Sequence, residues 1–208
     1  DVSDGRPVDL INLPMAVNSP FQPRGMMRNM FSMAEAQRVI LSLRPQSQLE
    51  RSEELPEQLV PMVRFADRPI TRTRRFILSM VMGMAGGRMM RRGAGGPMAT
   101  DERFLINGRA MEMDFINETV PVGSTEIWEI VNDSMMMHPF HIHHGQFQVL
   151  TRNGRQVHAH ETGYKDTVKV GPGEVVRLAM TFEDYSDSEN PYMYHCHILE
   201  HEDNGMMG

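Results

Sequence analysis

The sequence predicts an all-β fold, arranged as a sandwich or barrel. Short apolar or alternating runs recur about every ten residues, and Pro, Gly and Asp separate them. This spacing is typical of sandwiches and barrels built from short strands. No long stretch has a convincing helical period, and no segment repeats another. A chain of 208 residues is long enough for one or two domains with a substantial core.

Eight runs are predicted as strands because apolar or alternating residues lie between turn-forming residues. The first two are short apolar runs, and the third alternates around Arg72, Arg74 and Phe76. The other five follow between Pro, Gly and Asp turns toward the C-terminal end. In chain order the eight runs are 8–13, 38–43, 71–80, 104–106, 126–131, 146–150, 167–170 and 174–182.

Two segments are predicted to be linkers or loops. Residues 44–69 are rich in Pro, Glu and Gln and are predicted to separate an N-terminal part, 1–68, from a main domain, 69–208. Residues 83–98 are rich in Gly and carry too few packing side chains for a core element. The main domain is therefore predicted to begin just before the third strand.

Composition excludes several classes of partner. The formal net charge of -6 argues against nucleic-acid binding, which usually needs a basic face. No apolar run approaches the ~18 residues of a membrane span, so we expect a soluble chain with no membrane partner. The single cysteine, Cys196, excludes an intramolecular disulfide and leaves a thiol to explain. All nine histidines follow residue 137, so the chemistry is expected in the last third of the chain.

Two segments near the C-terminal end, 138–143 and 195–206, concentrate metal-binding side chains. Side chains alternate across a strand, so His195 and His197 are expected on one face and Cys196 on the other. His141 and His143 likewise share a face. Two His-x-His pairs can therefore converge on one metal cluster, while the thiolate between the second pair addresses a different metal on the opposite side.

A second metal site can be assembled on the side of the thiolate. Its candidate ligands are Cys196, His201, the distant His138 and, as a weak axial thioether, Met206. Two imidazoles, a thiolate and a thioether are the ligand set of blue copper, and they suit an ion that cycles between Cu(I) and Cu(II). Because Cys196 is bonded to histidines on both sides, electrons have a short covalent path between the two sites.

These segments resemble the C-terminal cupredoxin domain of three-domain multicopper oxidases, in particular the bacterial cuprous-oxidase and laccase-like branch. The motifs His-Pro-x-His-x-His and His-Cys-His-x₃-His-x₄-Met are both present, in the family order and about fifty residues apart. Residues 163–168 also resemble the family's segment between the motifs. The resemblance implies a cupredoxin-like Greek-key sandwich or barrel at 69–208, preceded at 1–68 by the end of a middle cupredoxin domain and a linker.

The resemblance also implies a role for each motif residue. The implied ligands are His138, Cys196, His201 and Met206 at the type 1 copper, His141 at the type 2 copper, and His143, His195 and His197 at the type 3 pair. Cys196 would pass electrons through its two neighbours to the cluster, where O₂ is reduced to water. Glu202, and after it Asp203, are the candidate proton relays, although both can equally form a solvated acidic patch.

This sequence supplies only half of the histidines that the family's copper cluster requires. The family uses four His-x-His motifs, and this chain supplies two of them. His158 and His160 match the pattern but are predicted to form an exposed pair in a loop, and His144 is given no role. We therefore expect the other ligands to come from missing N-terminal domains of the same protein, and no O₂ reduction by this chain alone.

The reducing substrate is left open between phenols or other organic molecules and Cu(I). Methionines around the Gly-rich loop and Met135, Met136 and Met137 beside His138 could bind Cu(I), because thioethers favour that ion. However, Ser134 stands where cuprous oxidases carry an acidic residue. Export to the periplasm or beyond is expected from the family alone.

Two other functions remain as alternatives. One is a single-copper electron-transfer or copper-binding module that uses only the complete site. The other is a zinc peptidase, because residues 197–201 match the H-x-x-E-H pattern. The zinc pattern requires a helix that places His197 and His201 on one face, and it leaves Cys196 unexplained.

Overall fold

A computed structural model describes residues 5–12, 37–46, 56, 61–82, 102–183 and 186–208. The chain divides into two compact units, Asp1–Pro61 and Met62–Gly208. The second unit thus begins before the predicted start at residue 69. The backbone around Val63 is held on it, since Gln148 Nε2 donates to Val63 O at 2.8 Å and Phe65 N donates to Gln148 Oε1 at 2.9 Å.

The described part of the first unit is a pair of antiparallel strands, β1 (Val8–Asn12) and β2 (Arg38–Leu43). Their pairing is irregular between Leu10 and Ile11. Both strands were predicted from their apolar runs, and β2 has the predicted bounds. That this unit is the end of a middle domain stays a prediction.

The second unit contains ten further strands and one short α-helix among its described residues. The strands are β3 (Ile70–Met82), β4 (Glu102–Ile106), β5 (Ser124–Asn132), β6 (His138–Ile142), β7 (Phe147–Arg152), β8 (Arg155–Gln156), β9 (Tyr164–Lys165), β10 (Thr167–Val170), β11 (Val175–Phe182) and β12 (Tyr194–Cys196). The helix α1 spans Leu199–Asp203. All eight predicted strands are present, with ends that differ by one or two residues at most.

The strands form two sheets that share one core. One sheet has the order β4-β3-β5-β11-β7-β8, with β9 on β7, and the other has the order β10-β6-β12. Within both sheets the described pairs are antiparallel except β3 with β5. Phe76 and Trp128 of the first sheet contact Tyr194 of the second, with ring centroids 5.0 and 5.7 Å apart. The prediction of an all-β fold is confirmed.

A buried ion pair joins β3 to β5 inside this core. Arg74 is 7% exposed and Glu126 1% exposed, and Arg74 Nε and Nη2 donate to the two carboxylate oxygens at 2.6 and 3.0 Å. Trp128 Nε1 donates to the same carboxylate at 3.0 Å. The hydrogen bond that Arg74 donates to Glu126 is the main cause that raises the pKa of Arg74. Removing one partner of such a pair typically costs roughly 3–5 kcal/mol, because the other charge stays buried.

The Gly-rich segment 83–98 and its methionines lie outside the described residues, so their predicted role in Cu(I) binding stays a prediction. Within the part of the chain that the structure describes, no helix has the length and apolar character needed to cross a membrane.

Candidate metal centre

The pairing of β6 with β12 brings the two histidine-rich segments together. His195 lies opposite His141, and Cys196 lies opposite Phe140. Because side chains alternate across a strand, His141 and His143 share a face with His195, while His138 and Cys196 point to the other face. The strand geometry predicted for both segments is therefore present up to Cys196, where β12 ends.

The first group of side chains consists of His138, Cys196 and His201, all buried. Cys196 Sγ lies 3.6 Å from His138 Nδ1 and 3.5 Å from His201 Nδ1, and the two Nδ1 atoms are 3.1 Å apart. α1 turns the chain back so that His201 faces Cys196. The ring of Phe104 stacks on His201 with centroids 4.0 Å apart and fixes its plane.

Met206, the predicted axial ligand, lies next to this group along the backbone. Its side chain is fully buried. Its backbone N–H donates to His201 O at 2.9 Å, and its carbonyl accepts from Cys196 N at 3.0 Å. These two bonds hold Met206 beside both predicted ligands, as an axial thioether requires.

Burial keeps the Cys196 thiol and the His138 ring neutral at pH 7. Loss of hydration raises the pKa of the Cys196 thiol to about 11 and, with the nearby His201, lowers the pKa of His138 to about 4. A neutral imidazole is ready to bind a metal, whereas the thiol must first release its proton. Metal binding at this group is therefore coupled to release of the Cys196 proton.

The second group lies on the opposite face of β6 and β12. The nearest ligand atoms of His141, His143 and His195 all lie within 4.8 Å of one another, and His143 Nε2 is 2.9 Å from His195 Nε2. The ring of His197 is 5.3 Å from His141 and 5.4 Å from His195 between centroids. The four histidines predicted for the cluster are thus brought together, with His143 and His197 exposed.

Hydrogen bonds fix which ring nitrogen two of these histidines present. His141 Nδ1 donates to Asp166 O at 2.9 Å, because a carbonyl can only accept. His195 Nδ1 lies 3.1 Å from Cys196 O and 3.2 Å from Glu202 Oε2, which also only accept. Both rings therefore carry hydrogen on Nδ1 and present an Nε2 lone pair that could bind a metal.

The chemistry of the donors fits copper. The first group offers two imidazoles, a thiol and a nearby thioether, which is the combination that soft copper sites use. The second group offers imidazoles alone, and its exposed members can share an ion with ligands from elsewhere. The zinc peptidase alternative is not supported, because α1 begins after His197 and because His197 and His201 belong to different groups.

The remaining predicted residues fall in different places. Glu202 contacts the second group through His195, whereas Asp203 is exposed at the end of α1. His144 lies away from both groups, with its ring stacked 4.8 Å from Phe182. His158 and His160 are exposed and stacked, with centroids 5.7 Å apart, as predicted for a surface pair.

Several residues around the metal centre were not found from the sequence. Phe104, Asp166 and Ser134 support His201, His141 and His138 respectively. Ser134 Oγ lies 2.7 Å from His138 Nε2. Nothing in the local sequence distinguishes Phe104, while Ser134 stands out only as a departure from an acidic family position and Asp166 only as part of the family-like segment 163–168. The contacts of Phe104 and Asp166 span long sequence separations, whereas Ser134 contacts a histidine only four residues away.

Comparison with known proteins gives consistent matches. The family model described as multicopper oxidase matches residues 82–208. The chain is 43% identical over 112 residues to a multicopper oxidase of Staphylococcus aureus, a match that covers 52% of this chain and 24% of that protein. It is 40% identical over 121 residues to a laccase of Bacillus subtilis, a match that covers 50% of this chain and 23% of that protein.

A solved structure has a similar fold. The bacterial laccase-like multi-copper oxidase from Ochrobactrum sp. superposes with a TM-score of 0.73 at 24% identity, covering 100% of this chain and 42% of that one. The two sheets described above are therefore those of a cupredoxin-like domain, as predicted. The chain spans about a quarter of the length of these curated relatives.

Proposed function

Because the chain belongs to the multicopper oxidase family, we propose that it carries the electron-accepting copper site of an oxidase. The reaction would couple one-electron oxidation of phenolic or other organic substrates, or of Cu(I), to the four-electron reduction of O₂ to water. The relatives are much longer than this chain, so the activity proposed is that of the complete protein.

One observation carries the proposal: Cys196 belongs to one ligand group while its two sequence neighbours belong to the other. The proposed ligands are His138, Cys196, His201 and Met206 at type 1 copper, His141 at type 2 copper, and His143, His195 and His197 at the type 3 pair. Copper bound there supplies one-electron exchange at the first group and O₂ binding at the second. This chain provides the connection between them.

The connection has two branches on the His195 side. The covalent path runs through the backbone from Cys196 to its neighbour, and the hydrogen bond from His195 Nδ1 to Cys196 O, at 3.1 Å, adds a shorter second contact. Both lie in buried strand structure. A rigid, dry connection favours electron transfer because little around it must reorganise.

We further propose that the remaining cluster ligands come from N-terminal domains of the same protein. In support, His143 and His197 are exposed, although they lie beside buried His195. Exposed imidazoles at the edge of a cluster leave room for ligands from another part of the protein. Export to the periplasm or beyond is proposed from the family only.

Glu202 is the proposed proton relay for O₂ reduction. Its carboxylate lies 3.2 Å from His195 Nδ1 and is 25% exposed, so it can exchange protons with water and with the edge of the cluster. Asp203 is exposed and is the weaker candidate.

A second candidate function is a single-copper electron-transfer or copper-binding module. It is favoured by the gathering of His138, Cys196 and His201 in one buried group within this chain. The two functions differ in how many copper ions the protein binds and in whether O₂ is consumed.

The test is copper counting on the intact, full-length protein, with visible and electron paramagnetic resonance spectra and O₂ uptake. Four coppers with an intense visible band and O₂ uptake support the oxidase. One blue copper without O₂ uptake contradicts it and supports the module. Cys196→Ser should remove the visible band, whereas the exposed-site control His158→Gln should keep it.

A further inference from the structure

Ser134 occupies the edge of His138 that faces away from Cys196. Its Oγ lies 2.7 Å from His138 Nε2, while His138 Nδ1 faces Cys196 Sγ at 3.6 Å. His138 is fully buried, whereas Ser134 is partly exposed. Ser134 therefore lies between the surface and a proposed copper ligand.

The orientation of the neighbouring Asn132 amide follows from its partners. Asn132 is 1% exposed, and its Nδ2 lies 2.7 Å from Met136 O and 3.0 Å from Val170 O. Both partners are carbonyl oxygens that can only accept, so the amide nitrogen must face them. The amide oxygen then faces Ser134, whose N–H donates to it at 3.0 Å.

The direction of the Ser134 hydroxyl follows from that orientation. Ser134 Oγ lies 2.8 Å from Asn132 Oδ1 and 3.2 Å from Met136 O. A hydroxyl has one hydrogen, and neither of these oxygens can supply another. If that hydrogen pointed to His138 Nε2, Oγ would face two acceptors with no hydrogen between them. The hydroxyl must therefore donate to an oxygen and accept from His138 Nε2–H.

We propose that Asn132 and Ser134 form a relay that holds His138 as its Nε2–H tautomer, with the Nδ1 lone pair directed at the metal position beside Cys196. Ser134 is thus a positioning residue for the first ligand group. The tautomer is independent of the ion that binds, whereas the effect on a copper ion rests on the proposed function.

The effect on copper follows from the acceptor. A hydrogen bond from the distal N–H of a ligating imidazole raises its basicity and fixes its orientation. A more basic ligand stabilises Cu(II) over Cu(I), so loss of the Ser134 acceptor should raise the reduction potential. A carboxylate at this position is a stronger acceptor and should lower the potential.

The first test is the tautomer in the copper-free, full-length protein. Nitrogen-15 spectra of histidine-labelled protein, assigned with His138→Gln, distinguish hydrogen on Nε2 from hydrogen on Nδ1. We expect the Nε2–H form for His138 at neutral pH. The Nδ1–H form would overturn the relay, and it would do so whether or not the protein proves to be an oxidase.

The second test uses the copper-loaded protein. Ser134→Ala should lower copper affinity at the first group by about 10–100-fold and raise its potential. Ser134→Asp should lower the potential, and Ser134→Thr, which keeps the hydroxyl, should stay near wild type. Ser124→Ala is the matched control, because Ser124 Oγ donates only to the backbone of Pro121, at 2.6 Å.

If Ser134 only supported the fold, the reduction potential would not be raised in Ser134→Ala and lowered in Ser134→Asp. Equal potentials in Ser134→Ala and in Ser124→Ala overturn the positioning role. If Ser134→Ala fails to fold, the comparison of Ser134→Asp with Ser134→Thr and the wild-type tautomer still decide the proposal.

Discussion

Cys196 shows how one residue serves two sites. Its side chain points into the first ligand group, with Sγ 3.6 Å from His138 Nδ1, and its backbone carbonyl accepts from His195 of the second group at 3.1 Å. The two roles use different atoms, so neither compromises the other. Full burial removes water from the thiol and raises its pKa, which makes the free thiol unreactive until a metal displaces its proton.

Glu202→Gln tests the proposed proton relay at the scale of a single residue. The amide cannot exchange a proton, so we expect O₂ reduction to slow by about 100-fold or more, while reduction of the type 1 copper by substrate stays unchanged. Stopped-flow spectroscopy separates the two steps: loss of the visible band reports reduction of the type 1 copper by substrate, and its return reports reoxidation by O₂. Glu200→Gln, in the same helix but exposed, is the control. Unchanged reoxidation in Glu202→Gln would identify Glu202 as part of a solvated acidic patch.

The elements position the centre through pairing and one tight turn. β6 lies between β10 and β12, so its histidines are held from both sides. After β12, α1 reverses the chain, and Gly205 passes close to the loop after β4, where Met111 N donates to Gly205 O at 3.0 Å. This close approach delivers Met206 to the buried side of the centre.

Gly205→Ala tests this turn. Gly205 has a φ of +103°, and an added Cβ would lie 2.7 Å from Ala110 Cβ. We expect a loss of roughly 1–3 kcal/mol from the backbone conformation and a further loss from the contact, measured by urea unfolding. Gly108→Ala isolates the first contribution, because its φ is +75° with nothing within 4 Å of the new Cβ. Equal losses in both variants would show that the contact with Ala110 does not matter.

At the scale of the whole molecule, both ligand groups are attached to one core. The first group continues directly into it, since Phe140, Cys196 and Met206 belong to the same buried cluster as Phe76 and Trp128. Stability of the unit and geometry of the centre are therefore linked. The second group lies at its surface, with His143 and His197 exposed.

This link predicts a pH dependence for the copper-free protein. His138 has a pKa of about 4, lowered from 6.5 mainly by burial, so the unfolded state binds its proton first as pH falls. The stabilising contribution is complete above pH 6.5 and is lost as pH falls toward 4, on the order of 3 kcal/mol in total. Urea unfolding between pH 7 and 4 measures it. His138→Gln should flatten the slope and His158→Gln should not; equal slopes in all three proteins would contradict the assignment.

The sequence by itself determined the fold class, eight of the described strands and the candidate metal-binding residues. Apolar runs between turns gave the strands because burial of alternate side chains needs that pattern. Four histidines and Cys196 were predicted as candidate ligands because His-x-His and His-Cys-His have a geometric meaning on any strand. His138, His201 and Met206 were added from the blue-copper ligand set and the family resemblance. In β12 the alternation of side chains applies only as far as Cys196, because His197 lies beyond the end of the strand.

Only the tertiary structure decided which residues support those ligands. Ser134, Asn132 and Phe104 have no distinctive local pattern, and Arg74 was expected only as part of an alternating run. Their partners come from other strands or from the turn between β5 and β6, so the contacts depend on register. The hydrogen-bond direction at His138 also depends on Val170, whose carbonyl fixes the orientation of the Asn132 amide. Val170 is distant in sequence and lies nearby only because β10 pairs with β6.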